Sequence, residues 1–168
     1  LSRHKSRSPQ KCLTCSAQIL KLNNKTTIHA NSMTESAIDI NKYYSKLDEE
    51  DFIDEMRRVI TPDNLNDLDI SNSNLLMNAL TDYDLYKDQR HLTFAKWLLE
   101  TYDIDVDITN AFDQTPIWRA AKIGDEDIVN LIVSKGVPNT INLVNLWGRT
   151  PYYDALTDKI KQILVEAG

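Results

Sequence analysis

A chain of 168 residues with 42% hydrophobic side chains has room for one domain and a tail, and its formal charge of -6 hides an asymmetry. Residues 1–32 carry six Lys or Arg and no acid, whereas residues 33–168 carry 13 basic and 25 acidic side chains, a formal charge of -12. An acidic body of this kind does not bind phosphate backbones by counterion release, and no run approaches the ~20 apolar residues of a membrane helix.

The first 32 residues are rich in Ser, Asn and Lys and lack a long apolar period. They read as a basic tail outside the folded body, with Met33 as the expected natural start. A basic, acid-free leader of the organelle-targeting kind and a solvated arm are the other readings. Both cysteines lie here, as Cys12-Leu13-Thr14-Cys15. A zinc site wants four ligands, and only His4 and His29 are at hand to complete this pair, so no metal is expected. Asn24-Lys25-Thr26 is a glycosylation sequon without a secretory signal to support its use.

From Ser36 the apolar residues fall at helical spacing: Ala37, Ile38, Ile40, Tyr43, Tyr44 and Leu47. Asp48 is placed to cap a second helix, which carries Phe52, Ile53, Met56, Val59 and Ile60. Thr61-Pro62-Asp63 stops it, because proline disfavours helix at the residue before it. After a polar connector, Asn74 opens a short apolar helix through Leu75, Leu76, Met77, Ala79 and Leu80. The Asp- and Tyr-rich stretch from Thr81 to His91 reads as a long connection, and Thr93 to Tyr102 as the next helix. Trp97 is expected in the core there. Ile104, Val106 and Ile108 then alternate with aspartates, the period of a short extended arm.

At Thr115-Pro116 the pattern sharpens. Threonine accepts a backbone N–H as an N-cap, and proline is tolerated at the first helical position because its missing donor is unpaired there anyway. Gly124 is expected to end this helix, Asp125 to cap the next and Gly136 to terminate that one. Trp118 is expected to face the core. Thr150-Pro151 restarts the phrase 35 residues after Thr115-Pro116 and leads into a last pair ending at Gly168. A recurrence near that period marks stacked helix pairs.

The run Thr115-Pro116-Ile117-Trp118-x-Ala120-Ala121-x-x-Gly124-Asp125-x-x-Ile128-Val129 resembles the ankyrin repeat, whose phrase is T-P-L-H-x-A. Asn74 to Ala79 and Gly148 to Leu156 resemble weaker copies. Met77, Trp118 and Tyr153 stand where the family has its histidine. The resemblance implies an all-α solenoid of about four helix-turn-helix units, near 34–72, 73–112, 113–147 and 148–168, the outer two acting as caps. Some seven residues between the helices of the second unit, within Asp82 to His91, read as an inserted loop. The fourth unit has a trimmed link.

For function, the resemblance implies a protein-binding surface made by loop tips and the concave face of the first helices. Carried over by position, the candidates are Phe112, Gln114, Lys122, Ile123, Leu146, Trp147 and Arg149. Tyr83 and Tyr86 of the expected loop join them, since acid mixed with Tyr suits a cationic patch. Trp147 has two readings, a binding hot spot or a packing partner of Phe112. The aspartates of that loop lack the Gly and Glu of a calcium loop. Without a phosphate-binding Gly loop or a G-x-S-x-G, and with His91 the sole body histidine, no catalysis and no cofactor are expected. The expected protein is cytoplasmic, monomeric when unbound and a binder of a protein partner. The other functional reading is an acidic neutraliser that occludes a basic toxin or nucleic-acid enzyme.

Overall fold

The computed structural model describes residues 38–44, 49–137 and 139–168. The readings of the tail, of Met33, of Cys12 and Cys15, of the sequon and of the Asp48 cap lie outside the described residues. Eight helices are present among the described residues: α1 (Asn41–Tyr44), α2 (Glu49–Val59), α3 (Leu75–Tyr86), α4 (Gln89–Thr101), α5 (Pro116–Ile123), α6 (Glu126–Lys135), α7 (Pro151–Asp154) and α8 (Asp158–Ala167). None of them is long and apolar enough to cross a membrane.

The helix starts are cut by side-chain caps at one repeated position. Asn74, Thr115 and Thr150 each take the backbone N–H three residues on, at 3.1, 3.1 and 3.2 Å. Asp88, Asp125 and Thr157 cap the second helix of each pair. Each cap satisfies one of the donors that a helix start leaves unpaired. Gly124 ends α5 at φ 91°, and a Cβ there would lie 2.5 Å from Leu156 Cδ2. Glycine is therefore required on two counts, backbone and space.

The stretch expected to form a loop in the second unit is helical. Helix α3 continues through Tyr86, α4 begins at Gln89, and only Lys87 and Asp88 separate them. The reason is local: no Gly or Pro interrupts residues 81–91. Tyr83 continues the apolar face of Leu76 and Leu80 and packs against the core. Lys87 takes the left-handed conformation, φ 57°, that Gly124 takes in the next unit. The extra residues thus lengthen both helices instead of forming an insertion between them. The first helices of the three clear units taper from 12 to 8 to 4 residues.

Helices α3, α5 and α7 form one row, and α4, α6 and α8 the other, with the rows joined within each pair. The core lies between them: Leu76, Leu80, Leu98, Ile117, Ile128, Ile132 and Ile160 are fully enclosed. Ala120 and Ala121 are both 0% exposed, which lets α3 and α7 approach α5 closely. Ile104 and Val106 are buried while Asp105 is exposed, so the expected alternation holds as far as Val106; Asp107 and Ile108 are both half-buried, and no strand forms there. Helix α2 joins through an edge-on contact of Phe52 with Phe94, ring centres 5.0 Å apart. Trp97 is not enclosed as expected. It is partly buried at the margin, stacked on Phe94, edge-on to Tyr102 and covered by Arg57.

Lysines staple the second-helix row: Lys96 bridges Asp125 and Asp127 at 3.1 Å each, and Lys159 reaches Glu126 at 2.6 Å. Pairs that keep one end in solvent, as Asp127 and Lys159 do here, add little to stability, so the row rests mainly on its apolar contacts.

Candidate functional site

Three tight loop tips recur in the stack, at Asp69–Ser73, Asn110–Gln114 and Asn145–Arg149. In each, the first residue's N–H donates to the fifth residue's carbonyl, at 3.0 Å in all three. The N–H of the fourth residue donates back to the first residue's carbonyl, at 3.0, 3.0 and 2.9 Å. The first side chain, Asp69, Asn110 or Asn145, accepts from the amides of the third and fifth residues. An Asp or Asn suits this place because its short side chain mimics a turn carbonyl. The fourth residue adopts positive φ in every tip: Asn72 60°, Asp113 54° and Gly148 70°.

Neighbouring tips are bonded to each other. Ala111 N–H donates to the Ser71 carbonyl at 2.8 Å, and Leu146 N–H to the Phe112 carbonyl at 3.1 Å. Because the tip backbones are internally satisfied, the side chains between their anchors are free to point outward. These are Ile70, 89% exposed, Leu146, 62%, Trp147, 60%, and Phe112, 44%. Phe112 and Trp147 stack across adjacent tips, ring centres 5.8 Å apart and 22° from parallel. Both readings of Trp147 therefore coexist: it packs on Phe112 and stays open to solvent. Isolated exposed apolar residues need no explanation, whereas here four large ones fall on three tips that are bonded to one another.

The other expected contacts are distributed unevenly. Gln114 is only 5% exposed and is not a surface contact; its Oε1 accepts from Asn110 Nδ2 at 3.2 Å and Arg119 Nη2 at 2.7 Å. Ile123 is partly buried against the core. Arg149 leaves the tip to pair with Asp154 at 3.1 Å and covers the Tyr153 ring. Tyr83 lies on helix α3 beneath Lys87 rather than in a loop, and Tyr86 is exposed beside the buried His91 ring. Ile70 was not among the expected contacts, being a lone apolar residue in a polar connector.

On the first-helix row, Lys122 belongs to a charged cluster in which it and Lys87 are the exposed members. Asp84 receives Lys122 at 2.6 Å, Lys87 at 2.9 Å and Arg119 at 3.3 Å. It is the lengthening of α3 that carries Asp84 far enough to meet α5. Burial pushes the Asp84 carboxyl up, but hydrogen bonds and charge from Lys122 and Lys87 outweigh this and hold it below its usual range. Trp118 is buried beneath the Lys122 and Arg119 cations. Among the described residues no cluster of His, Cys, Asp and Glu could hold a metal ion.

Acid sensitivity follows from the same region. Burial holds the His91 imidazole below its ordinary value, with Asp88 opposing and Arg90 reinforcing the shift. Below about pH 6.5 the unfolded chain takes up this proton more readily than the folded one, so stability is lost as pH falls. Asp84 and Asp88 have depressed values, Asp88 chiefly through its hydrogen bond from Arg90, and their stabilisation is lost in a second, lower window as pH falls through the carboxylate range. Melting temperature measured from pH 7.5 to 3 should decline in two stages. The upper stage should disappear in His91→Gln; if it persists, His91 is not its source.

A family model described as ankyrin repeats (3 copies) matches residues 76–168.

Proposed function

The chain belongs to the ankyrin-repeat family, whose repeats are generally protein–protein interaction modules, and on that premise we propose that it binds a protein partner along its loop tips. The Phe112–Trp147 pair carries this reading, since it holds a large aromatic face open at one edge of the stack. Leu146 and Ile70 extend that face, and Lys122 on the adjoining helix row supplies a polar margin. Aromatic anchors inside a polar rim are the usual composition of an interface centre.

The charge of -12 over residues 33–168 favours a second reading, an acidic neutraliser that covers a basic protein. Two measurements separate the readings. Partners captured by the full chain are compared with those captured by the triple variant Ile70→Ser, Phe112→Ser, Trp147→Ser, and each association is measured at low and high salt. Tip binding predicts loss in the variant and about equal affinity in both salts. Charge-driven covering predicts retention in the variant and strong weakening by salt. A partner kept by the variant with salt-independent affinity would overturn both.

A further inference from the structure

The three tips share one backbone design but differ in what supports the first side chain from below. In the first tip, Asn78 Nδ2 donates directly to Asp69 Oδ2 at 3.0 Å. The second tip uses a longer chain of groups. Asn110 Nδ2 donates to Gln114 Oε1, Arg119 Nη2 donates to the same oxygen at 2.7 Å, and Arg119 Nη1 reaches Asp84 Oδ2 at 3.3 Å. In the third tip Arg149 replaces Gln114 and cannot accept a hydrogen bond; Asn145 Nδ2 is buried with no hydrogen-bond partner among the described residues. Counting from the helix caps, Asn78, Arg119 and Asp154 occupy one equivalent position, so the brace is a recurrent place in the unit filled differently each time.

We propose that Arg119 and Gln114 are positioning residues: through their contacts with Asp84 and Asn110 they fix the second tip, and so hold Phe112 in stacking register with Trp147. The inference rests on the reading of the tips as the binding surface. Three observations carry it. The Arg119 side chain is 12% exposed and sits between α3 and the tip, so its two ends are committed to two different elements. Asn110, which receives this support, gathers the Phe112 and Gln114 amides at 2.9 and 3.0 Å. The Phe112 carbonyl in turn fixes the third tip by accepting from Leu146. In the third tip Asp154 holds Arg149 at 3.1 Å but no described residue reaches the Asn145 amide, so the Leu146 bond to the second tip adds a support that its anchor side chain lacks.

The chemistry asks for arginine in particular. A guanidinium presents separate N–H groups in a fixed fork, and one end can serve Asp84 while the other serves Gln114. A lysine ammonium is a point donor on a flexible stem and cannot span both. Asp84 keeps Lys122 and Lys87 when Arg119 is changed, so no uncompensated buried charge results.

The test uses the full chain as Arg119→Lys, Arg119→Met and Gln114→Glu. Amide hydrogen exchange is read at Phe112 and Gln114, relative to Ile132 in α6 and Leu164 in α8, with the assigned Trp147 ring proton chemical shifts as a second probe of the stack. Arg119→Lys and Arg119→Met should raise that ratio about tenfold and move the Trp147 ring proton shifts, whereas Gln114→Glu, which keeps an acceptor for both donors, should leave the ratio at or below its starting value. Because the readout is a ratio, a general loss of stability, which raises the helix amides at least as much as the tip amides, does not raise it. An unchanged ratio in both Arg119 variants overturns the proposal. Should the ratio rise while Trp147→Ala leaves partner affinity intact, the positioning role stands and the tip-binding reading fails.

Discussion

Trp147→Ala is expected to weaken partner binding by about thirtyfold or more, about 2 kcal/mol, the loss typical of a central aromatic anchor. The same change should leave the fold nearly untouched. Trp147 is 60% exposed, and its hydrogen bond to the tip anchor Asn145 is made by the backbone N–H, which alanine retains. What disappears is the stacked face over Phe112 and the area it offers a partner. Calorimetric titration of the captured partner gives the affinity, and a thermal melt of the free chain checks the fold. Leu85→Ala is the control, since Leu85 is 67% exposed on α3 and outside the tips. If Trp147→Ala binds as well as the unaltered chain, the tips are not the interface.

The parts of this site that depend on sequence spacing are legible in the amino-acid sequence alone. The 35-residue interval of the Thr-Pro phrase also separates Phe112 from Trp147, so their meeting across adjacent tips follows from the repeat itself. The caps at Thr115 and Asp125 were equally readable, because each carries its own hydrogen-bonding reason for its place, whereas Asp88 lay inside the stretch read as a connection. Contacts that depend on a helix being longer than its repeat were not. Lys87 turns the chain without glycine, and nothing in residues 81–88 distinguishes an exposed loop from two more helical turns with a Tyr on the inner side. With that turn misplaced, Asp84 could not be brought to Arg119 and Lys122, and the support beneath the second tip stayed hidden. Gln114 illustrates the same limit: it looks like a surface residue by type, and only its two donors, Asn110 and Arg119, explain its burial. The shared Asp or Asn at the three tips is visible once the tips are aligned, but side-chain turns leave no apolar period to search for.

Phe94→Ala is expected to cost about 3–5 kcal/mol, the range for a fully buried phenylalanine, in a domain whose whole stability is expected to be about 5–15 kcal/mol. Phe94 is 0% exposed, meets Phe52 edge-on at 5.0 Å and stacks on Trp97 at 5.7 Å. Its loss therefore opens a cavity and weakens the contact of α2 with the stack at once, leaving Met56 and Arg57 to hold α2. Stacked repeats touch only their neighbours, so the damage should be local before it is global. Exchange protection should fall first in α2 and α4, while α6 and α8 keep theirs until higher denaturant. Urea unfolding followed residue by residue by hydrogen exchange reads both quantities. A uniform loss of protection along α2 to α8 would mean that the units unfold as one block. A loss under about 1 kcal/mol would mean that neighbouring side chains collapse into the space, and that Phe52 does not depend on Phe94 to dock α2.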